Sequence, residues 1–347
     1  LRIVHFAQSE PGLAKRQHLL HHYRAATEAV VANGPFDLVH SQHLPVSGAD
    51  VVTFHNHTTR HMRTVGTLAE NLFNQAKSAL VPAYRLRREF DRMLCHQARC
   101  LVFPSRRCRD DYYCTFGTAG ELDGTPSVVA YPGCDPETPD WAKYPVSEET
   151  GRQEPLTFLF VGKGHRTKGL NILLAACRIL LARQRSFRLL VAGMSSNSFV
   201  RASLDLAGLK QHVRYLGYQS DLDSAFRQAV VFVMPSRMET FGIACLQAMQ
   251  RGLAPVVSRA AGISELLTHD ENALLLDDHL DARMLASLME RLIDDRKLLL
   301  RLRNSARDLA ARLTWKATAE ATLEAYRLAM SSKSNRTGAE FGPATAR

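Results

Sequence analysis

The chain has 347 residues, of which 46% are hydrophobic and 22% charged, and its formal net charge is +10. That length accommodates two domains of roughly 100–200 residues each, and the composition suits globular cores rather than a disordered or fibrous chain. No run approaches the roughly 20 apolar residues of a membrane-spanning helix, and the seven cysteines contain no Cys-x-x-Cys pair of the kind that holds structural zinc.

The first half alternates short apolar runs with amphipathic segments. Strands are expected over Leu1–Phe6, Asp37–Ser41, Val51–Phe54, Leu101–Pro104 and Val128–Tyr131. The opening run is expected to be a strand rather than a signal peptide, and a first residue Leu rather than Met suggests a trimmed or incomplete N-terminus. His18, His21 and His22 read as a helix surface. A basic helix is expected over Leu86–Arg99. Basic residues outnumber acidic ones between Arg60 and Arg109, with Arg85, Arg87, Arg88 and Arg92 close together. Such a patch attracts a polyanion or an anionic membrane surface. Few aromatic residues interleave with it, which argues against single-stranded nucleic acid, where stacking platforms are expected. The cysteines read as free thiols of a reducing cytosol.

A segment rich in Pro, Gly and acidic residues, Pro132–Pro155, reads as the linker, so the domains are drawn at 1–150 and 151–314. Beyond it, strands are expected over Leu156–Val161, Arg188–Ala192, Val213–Leu216, Val230–Met234, Pro255–Ser258 and Ala273–Leu276, with helices between most of them. This is the pattern of a doubly wound parallel sheet. Leu170, Leu173, Leu174, Cys177 and Leu181 follow helical spacing after the first of these strands. Helices follow over Asp281–Asp295, Lys297–Leu313 and Trp315–Met330. Trp315, Ala319, Leu323, Tyr326 and Met330 give the last one an apolar stripe. The polar tail 331–347 reads as disordered.

Two segments carry chemistry. The first, Val161-Gly162-Lys163-Gly164-His165-Arg166-Thr167-Lys168-Gly169, joins a strand to a helix. Its glycines let the backbone approach a ligand, and three cations at a helix N-terminus suit a diphosphate. It is neither a Walker A loop nor a Gly-x-Gly-x-x-Gly dinucleotide loop. The second, Pro235-Ser236-Arg237-Met238-Glu239-Thr240-Phe241-Gly242, leaves the C-terminal end of a buried strand and opens the helix that carries Leu246-Gln247-Ala248-Met249. In an open α/β sheet that edge is where ligands bind. Glu239 lies in the loop, and Gln247 falls about two helical turns further on.

Together with Gly252-x-x-Pro255-Val256 and Gly262-x-x-Glu265, these motifs resemble glycosyltransferase family 4, a retaining GT-B family, over about Leu156–Leu276. Val52-Thr53-Phe54-His55 resembles the family strand that ends in an active-site His, and Tyr131-Pro132-Gly133-Cys134-Asp135 its interdomain turn. The resemblance implies an α/β GT-B architecture: two Rossmann-like doubly wound domains facing a cleft, with helix 315–330 packing back on the first. The family's opening Gly-Gly loop has no counterpart before His55, so the first domain is expected to lack roughly 50–70 residues.

The resemblance further implies that Lys163 and Lys168 clamp the departing diphosphate, with Gly162, Gly164 and Arg166 around it. Glu239 holds the sugar hydroxyls, and Phe241 and Gly242 add backbone amides. Gly217 and Tyr218 meet the nucleobase, and His55 lies near the reacting sugar. Gln247 stands where the family has a Glu that binds ribose. The implied reaction moves a sugar from a nucleotide-diphosphate sugar to a glycan or lipid-linked acceptor, with retention and with neither metal nor cofactor. The implied setting is cytoplasmic, peripheral on the inner face of the plasma membrane. The short loop and the basic helix resemble the lipopolysaccharide core enzymes.

Asp221-Leu222-Asp223 reads as a helix start rather than a metal motif, because carboxylates cap free amides. His55-Asn56-His57 with His61 admits a metal-dependent hydrolase reading, but the eightfold strand–helix repeat that would support it is absent. The missing Gly-Gly loop and Gln247 admit a third reading, a non-catalytic GT-B binding or scaffold protein.

Overall fold

The computed structural model describes residues 34, 36–44, 46, 48–58, 65–117, 122, 124–134, 155–163, 165–194 and 208–339. The expected strand Leu1–Phe6, the three early histidines, His61, Gly164, Asp135 and most of the linker lie outside them. The chain divides into two units. Unit 1 comprises 1–102, 112–128 and 322–347, and unit 2 comprises 103–111 and 129–321.

Unit 1 is built on strands β1 (His40–Ser41), β2 (Val51–Thr53), β3 (Cys100–Phe103) and β4 (Ser127–Val129), adjacent in that order. β1 and β3 both run parallel to β2. Val51, Val52, Phe54, Leu94, Leu101 and Tyr112 are buried around this sheet. Helix α1 (Leu68–Leu80) was not anticipated from sequence. It starts at a reciprocal capping box between Thr67 and Glu70, and none of its residues is buried. Helix α2 (Pro82–Gln97) covers the expected basic segment but starts four residues earlier, because Pro82 fits the first helical position, where no N–H is needed. It buries Phe90, Asp91, Leu94 and Cys95, and Arg85, Arg88 and Arg92 remain exposed.

Unit 2 carries a six-stranded sheet of β5 (Leu156–Val161), β6 (Phe187–Ala192), β7 (Val213–Gly217), β8 (Val231–Met234), β9 (Ala254–Ser258) and β10 (Leu274–Leu276). Its order is β7-β6-β5-β8-β9-β10, with every adjacent pair parallel. This is the 3-2-1-4-5-6 order of dinucleotide-binding domains, and the order reverses between β5 and β8. Both faces are covered. Phe158, Phe160, Leu189 and Val191 join one core, whereas Leu159, Leu190, Phe232 and Met234 join the other. Strands buried on both faces become continuous apolar runs, which is why these were legible from sequence.

Helices α4 (Leu170–Ala182), α7 (Ala282–Asp294) and α8 (Arg296–Ala310) bury apolar residues in these cores. Residues 103–111, which include the start of α3 (Arg106–Phe116), fall in unit 2 rather than with their sequence neighbours. Glu265 holds them there: its carboxylate accepts from the Arg106 and Arg107 amides at 2.8 and 3.1 Å. Ser105 Oγ donates to Thr240 O at 2.6 Å. The last helix, α9 (Trp315–Ala339), runs past Ser331, where the sequence suggested disorder. Extending a formed helix costs far less than nucleating one, so polar residues continue it. Residues 340–347 lie outside the described residues.

Candidate active site

The turn after β5 and the turn after β8 meet where the strand order reverses. Gly169 caps the N-terminus of α4 in the left-handed region, at φ +78°. A Cβ there would stand 2.0 Å from the Pro235 carbonyl oxygen, so only glycine lets the two turns approach. Arg237 N donates to Thr167 O at 3.0 Å and ties them further. As a result Lys168 Nζ lies 2.5 Å from Glu239 Oε2. Both side chains are partly exposed, Lys168 at 32% and Glu239 at 18%, so solvent reaches the pair.

The neighbouring backbone is fixed in the same way. Gly162 N donates to Ala192 O and Gly193 N to Gly217 O, at 3.0 and 2.8 Å. This lines up the ends of β5, β6 and β7. Lys163 Nζ stands 5.0 Å from the centre of the Tyr218 ring, which is 69% exposed. Arg166 is exposed beside the same turn. The main chain of Glu239 bridges to Ala261, and its carbonyl accepts from Gly262 N at 3.0 Å.

Phe241 is buried, and Gly242, at φ +118°, caps α6 (Ile243–Gln250). The first amides of such a helix lack intrahelical acceptors and favour an anion. Gln247 is half-buried on this helix. Lys168 and Glu239 therefore meet where two turns that open helices come together in unit 2, with Lys163 and Arg166 on the first of these turns, an arrangement that can hold a diphosphate and the hydroxyls of a sugar attached to it.

His55 belongs to unit 1 and follows β2 directly. Its side chain faces solvent. Its pKa is nevertheless held below the ordinary histidine value, first by desolvation and then by neighbouring His43. The neutral ring therefore prevails at neutral pH.

Among the described residues, no group of three or more His, Cys, Asp or Glu is arranged to hold a metal ion. Helix α5 (Asp223–Arg227) starts here, as expected; its cap position is Leu222, which offers no side-chain cap, and Asp221 Oδ1 instead accepts from Asp223 N at 2.9 Å. Asp223 is taken up by Arg251, whose Nε lies 2.6 Å away. The described cysteines are all free, and every one but Cys114 is buried. Burial pushes Cys100 up to about 11 and Cys177 and Cys245 higher still, so these thiols stay protonated.

Sequence reasoning missed Arg237. It is buried beside the first turn, and the Asn171 side chain, oriented to donate to His165 O at 3.0 Å, accepts from its Nη2 at 3.2 Å. It also missed the groups around His55, namely His40, Gln42, His43 and Asp91. A charged residue inside the Pro-Ser-x-x-Glu spacing was the only available signal for Arg237. The others come from two separate places, the stretch 40–43 and helix α2, and only the fold brings them together.

Residues 146–309 match the family glycosyl transferases group 1. Over 326 residues the chain is 28% identical to D-inositol 3-phosphate glycosyltransferase of Paenarthrobacter aurescens, an alignment that covers 90% of this chain and 78% of that relative. Among solved structures it resembles sucrose-phosphate synthase from Thermosynechococcus elongatus, with a TM-score of 0.73 at 20% identity over 93% of this chain and 81% of that one. It also resembles WaaG, a glycosyltransferase involved in lipopolysaccharide biosynthesis, with a TM-score of 0.68 at 16% identity over 91% and 85%. The fold is accordingly GT-B.

Proposed function

We propose that this protein transfers a hexose-like sugar from a nucleoside-diphosphate sugar to a glycan or lipid-linked acceptor, with retention and without a catalytic metal. The observation that carries this reading is the Lys168–Glu239 pair at the point where the strand order reverses. As the bond between the anomeric carbon and phosphate oxygen breaks, negative charge grows on the diphosphate and positive charge on the sugar. Lys168 and Lys163, with Arg166 and the α4 N-terminus, stabilise the first by preorganised electrostatics. Glu239 holds sugar hydroxyls, and Gly162 and Gly164 let the diphosphate approach the main chain. Phe241 and Gly242 present the start of α6 to it. Gly217 and Tyr218 meet the base, and Gln247 the ribose. His55 serves the same sugar. The acceptor hydroxyl gives its proton to the departing phosphate oxygen and bonds the anomeric carbon on the face the phosphate leaves.

The test is nucleoside diphosphate release from a panel of nucleotide sugars, with and without chelator, with the product anomer assigned by NMR. Retained configuration and chelator-insensitive release are expected. An inverted product overturns retention, and loss of activity on chelation overturns metal independence. Donor binding without release would favour the non-catalytic reading, to which Gln247 in place of a Glu lends support.

We further propose work on a cell-envelope acceptor at the cytoplasmic face of the plasma membrane. No helix among the described residues is long and apolar enough to cross a membrane. Leu68, Leu72, Phe73 and Leu80 of α1 are nevertheless exposed, close in sequence to the exposed Arg85, Arg88 and Arg92 of α2. Apolar side chains beside clustered cations suit an anionic bilayer surface. Co-sedimentation with vesicles should require anionic lipid and fall as salt rises, because the attraction is screened over about 8 Å at physiological ionic strength. Equal binding to neutral vesicles would remove the electrostatic argument.

A further inference from the structure

The loop after β1 grips His55 at two points. Gln42 Oε1 lies 2.8 Å from His55 Nε2, and His43 Nδ1 accepts from the His55 backbone N–H at 3.2 Å. An amide carbonyl only accepts, so the His55 proton sits on Nε2 and the ring's lone pair on Nδ1. A backbone N–H only donates, so His43 Nδ1 carries no proton, and its Nε2–H points to Asp91 Oδ1 at 2.9 Å. Asp91 is buried, and Arg87 Nε lies 3.7 Å from its other oxygen. Tyr112 OH stands 3.3 Å from His43 Nε2.

On the far side of Gln42, its amide nitrogen lies 3.3 Å from His40 Nε2, which also meets Thr53 Oγ1 at 2.8 Å. His40 Nδ1 then donates to Tyr326 OH at 2.8 Å. Desolvation, and then His55, lower the His40 pKa to about 4, so His40 stays neutral in this array. With the Gln42 carbonyl turned to His55, these contacts are met by His55 protonated on Nε2 and His40 on Nδ1, with Gln42 and Thr53 sharing the lone pair of His40 Nε2. A second observation points to the same place: His43 has φ +58°. A non-glycine residue is strained there and persists only where the surroundings enforce it.

We infer that Gln42 and His43 are positioning residues for His55, clamping its ring and its backbone amide and holding the imidazole with its proton on Nε2 and its lone pair on Nδ1. The consequence for turnover rests on the proposed role of His55, but the clamp itself does not. Gln42 is exposed, so its variants leave the core intact.

The test is a ¹⁵N NMR titration of the histidine rings in the full chain, for wild type, Gln42→Leu and Gln42→Glu, alongside kcat and donor KM against pH. In wild type the neutral His55 ring should carry its proton on Nε2. A carboxylate at position 42 should raise the His55 midpoint by about 1 unit or more and carry the acid limb of kcat upward with it. Gln42→Leu should lower kcat about tenfold with donor KM nearly unchanged. His43→Asn, which keeps an acceptor near the Nδ1 position, should retain most of the rate that His43→Ala loses.

A His55 midpoint identical in all three proteins, or a wild-type ring protonated on Nδ1, overturns the clamp. A midpoint that moves while kcat does not supports the clamp and removes His55 from the reaction.

Discussion

Lys168→Ala should lower kcat on the order of 10²-fold or more while donor affinity changes much less. The diphosphate's charge is largest in the transition state, so a cation aimed at it contributes more there than in the ground state. Glu239→Ala should lose turnover by a similar factor but still bind free nucleoside diphosphate, because the carboxylate is assigned to the sugar. The 2.5 Å contact between these side chains adds a further expectation. Each single substitution strands the other charge in a half-covered site, so the double variant should fall well short of the product of the two losses. Steady-state kinetics of the four proteins, with diphosphate binding measured by calorimetry, decides the matter. Full activity in both single variants would end the assignment at this site.

Gly169→Ala should be the most disruptive of the single-methyl changes. The added Cβ meets the Pro235 carbonyl oxygen at 2.0 Å, and the backbone sits at φ +78°. Gly124 provides the control, with φ +75° and nothing within 4 Å of its added Cβ. Gly124→Ala should cost only the conformational strain, about 1 kcal/mol, whereas Gly169→Ala should cost several kcal/mol, because the strain and the collision add. Activity should fall with it, since the turns carrying Lys168 and Glu239 can no longer meet. Urea unfolding of both variants against wild type measures the difference. Equal midpoint shifts would show that the two turns yield without cost.

The sequence by itself determined most of unit 2. Its strands are short apolar runs buried on both faces, its helices keep a helical stripe, and its two chemical turns lie within single stretches of chain. Those signals are local, set by side-chain period and backbone preference, and survive without knowledge of the fold. The Thr67–Glu70 capping box was legible on the same terms, but none of the helix it opens is buried, so no strong core period accompanied it.

The tertiary structure alone decided which distant residues meet. Glu265 takes the amides of Arg106 and Arg107 from about 160 residues away, and this draws 103–111 into unit 2. Asp91 on α2 orients His43, and Tyr326 on α9 reaches His40. The Lys168–Glu239 contact depends on the closeness of Gly169 to Pro235. Each of these requires closing a long loop and fixing side chains together. Nothing in local propensity encodes such pairings, because the closure entropy is offset only when the whole core packs.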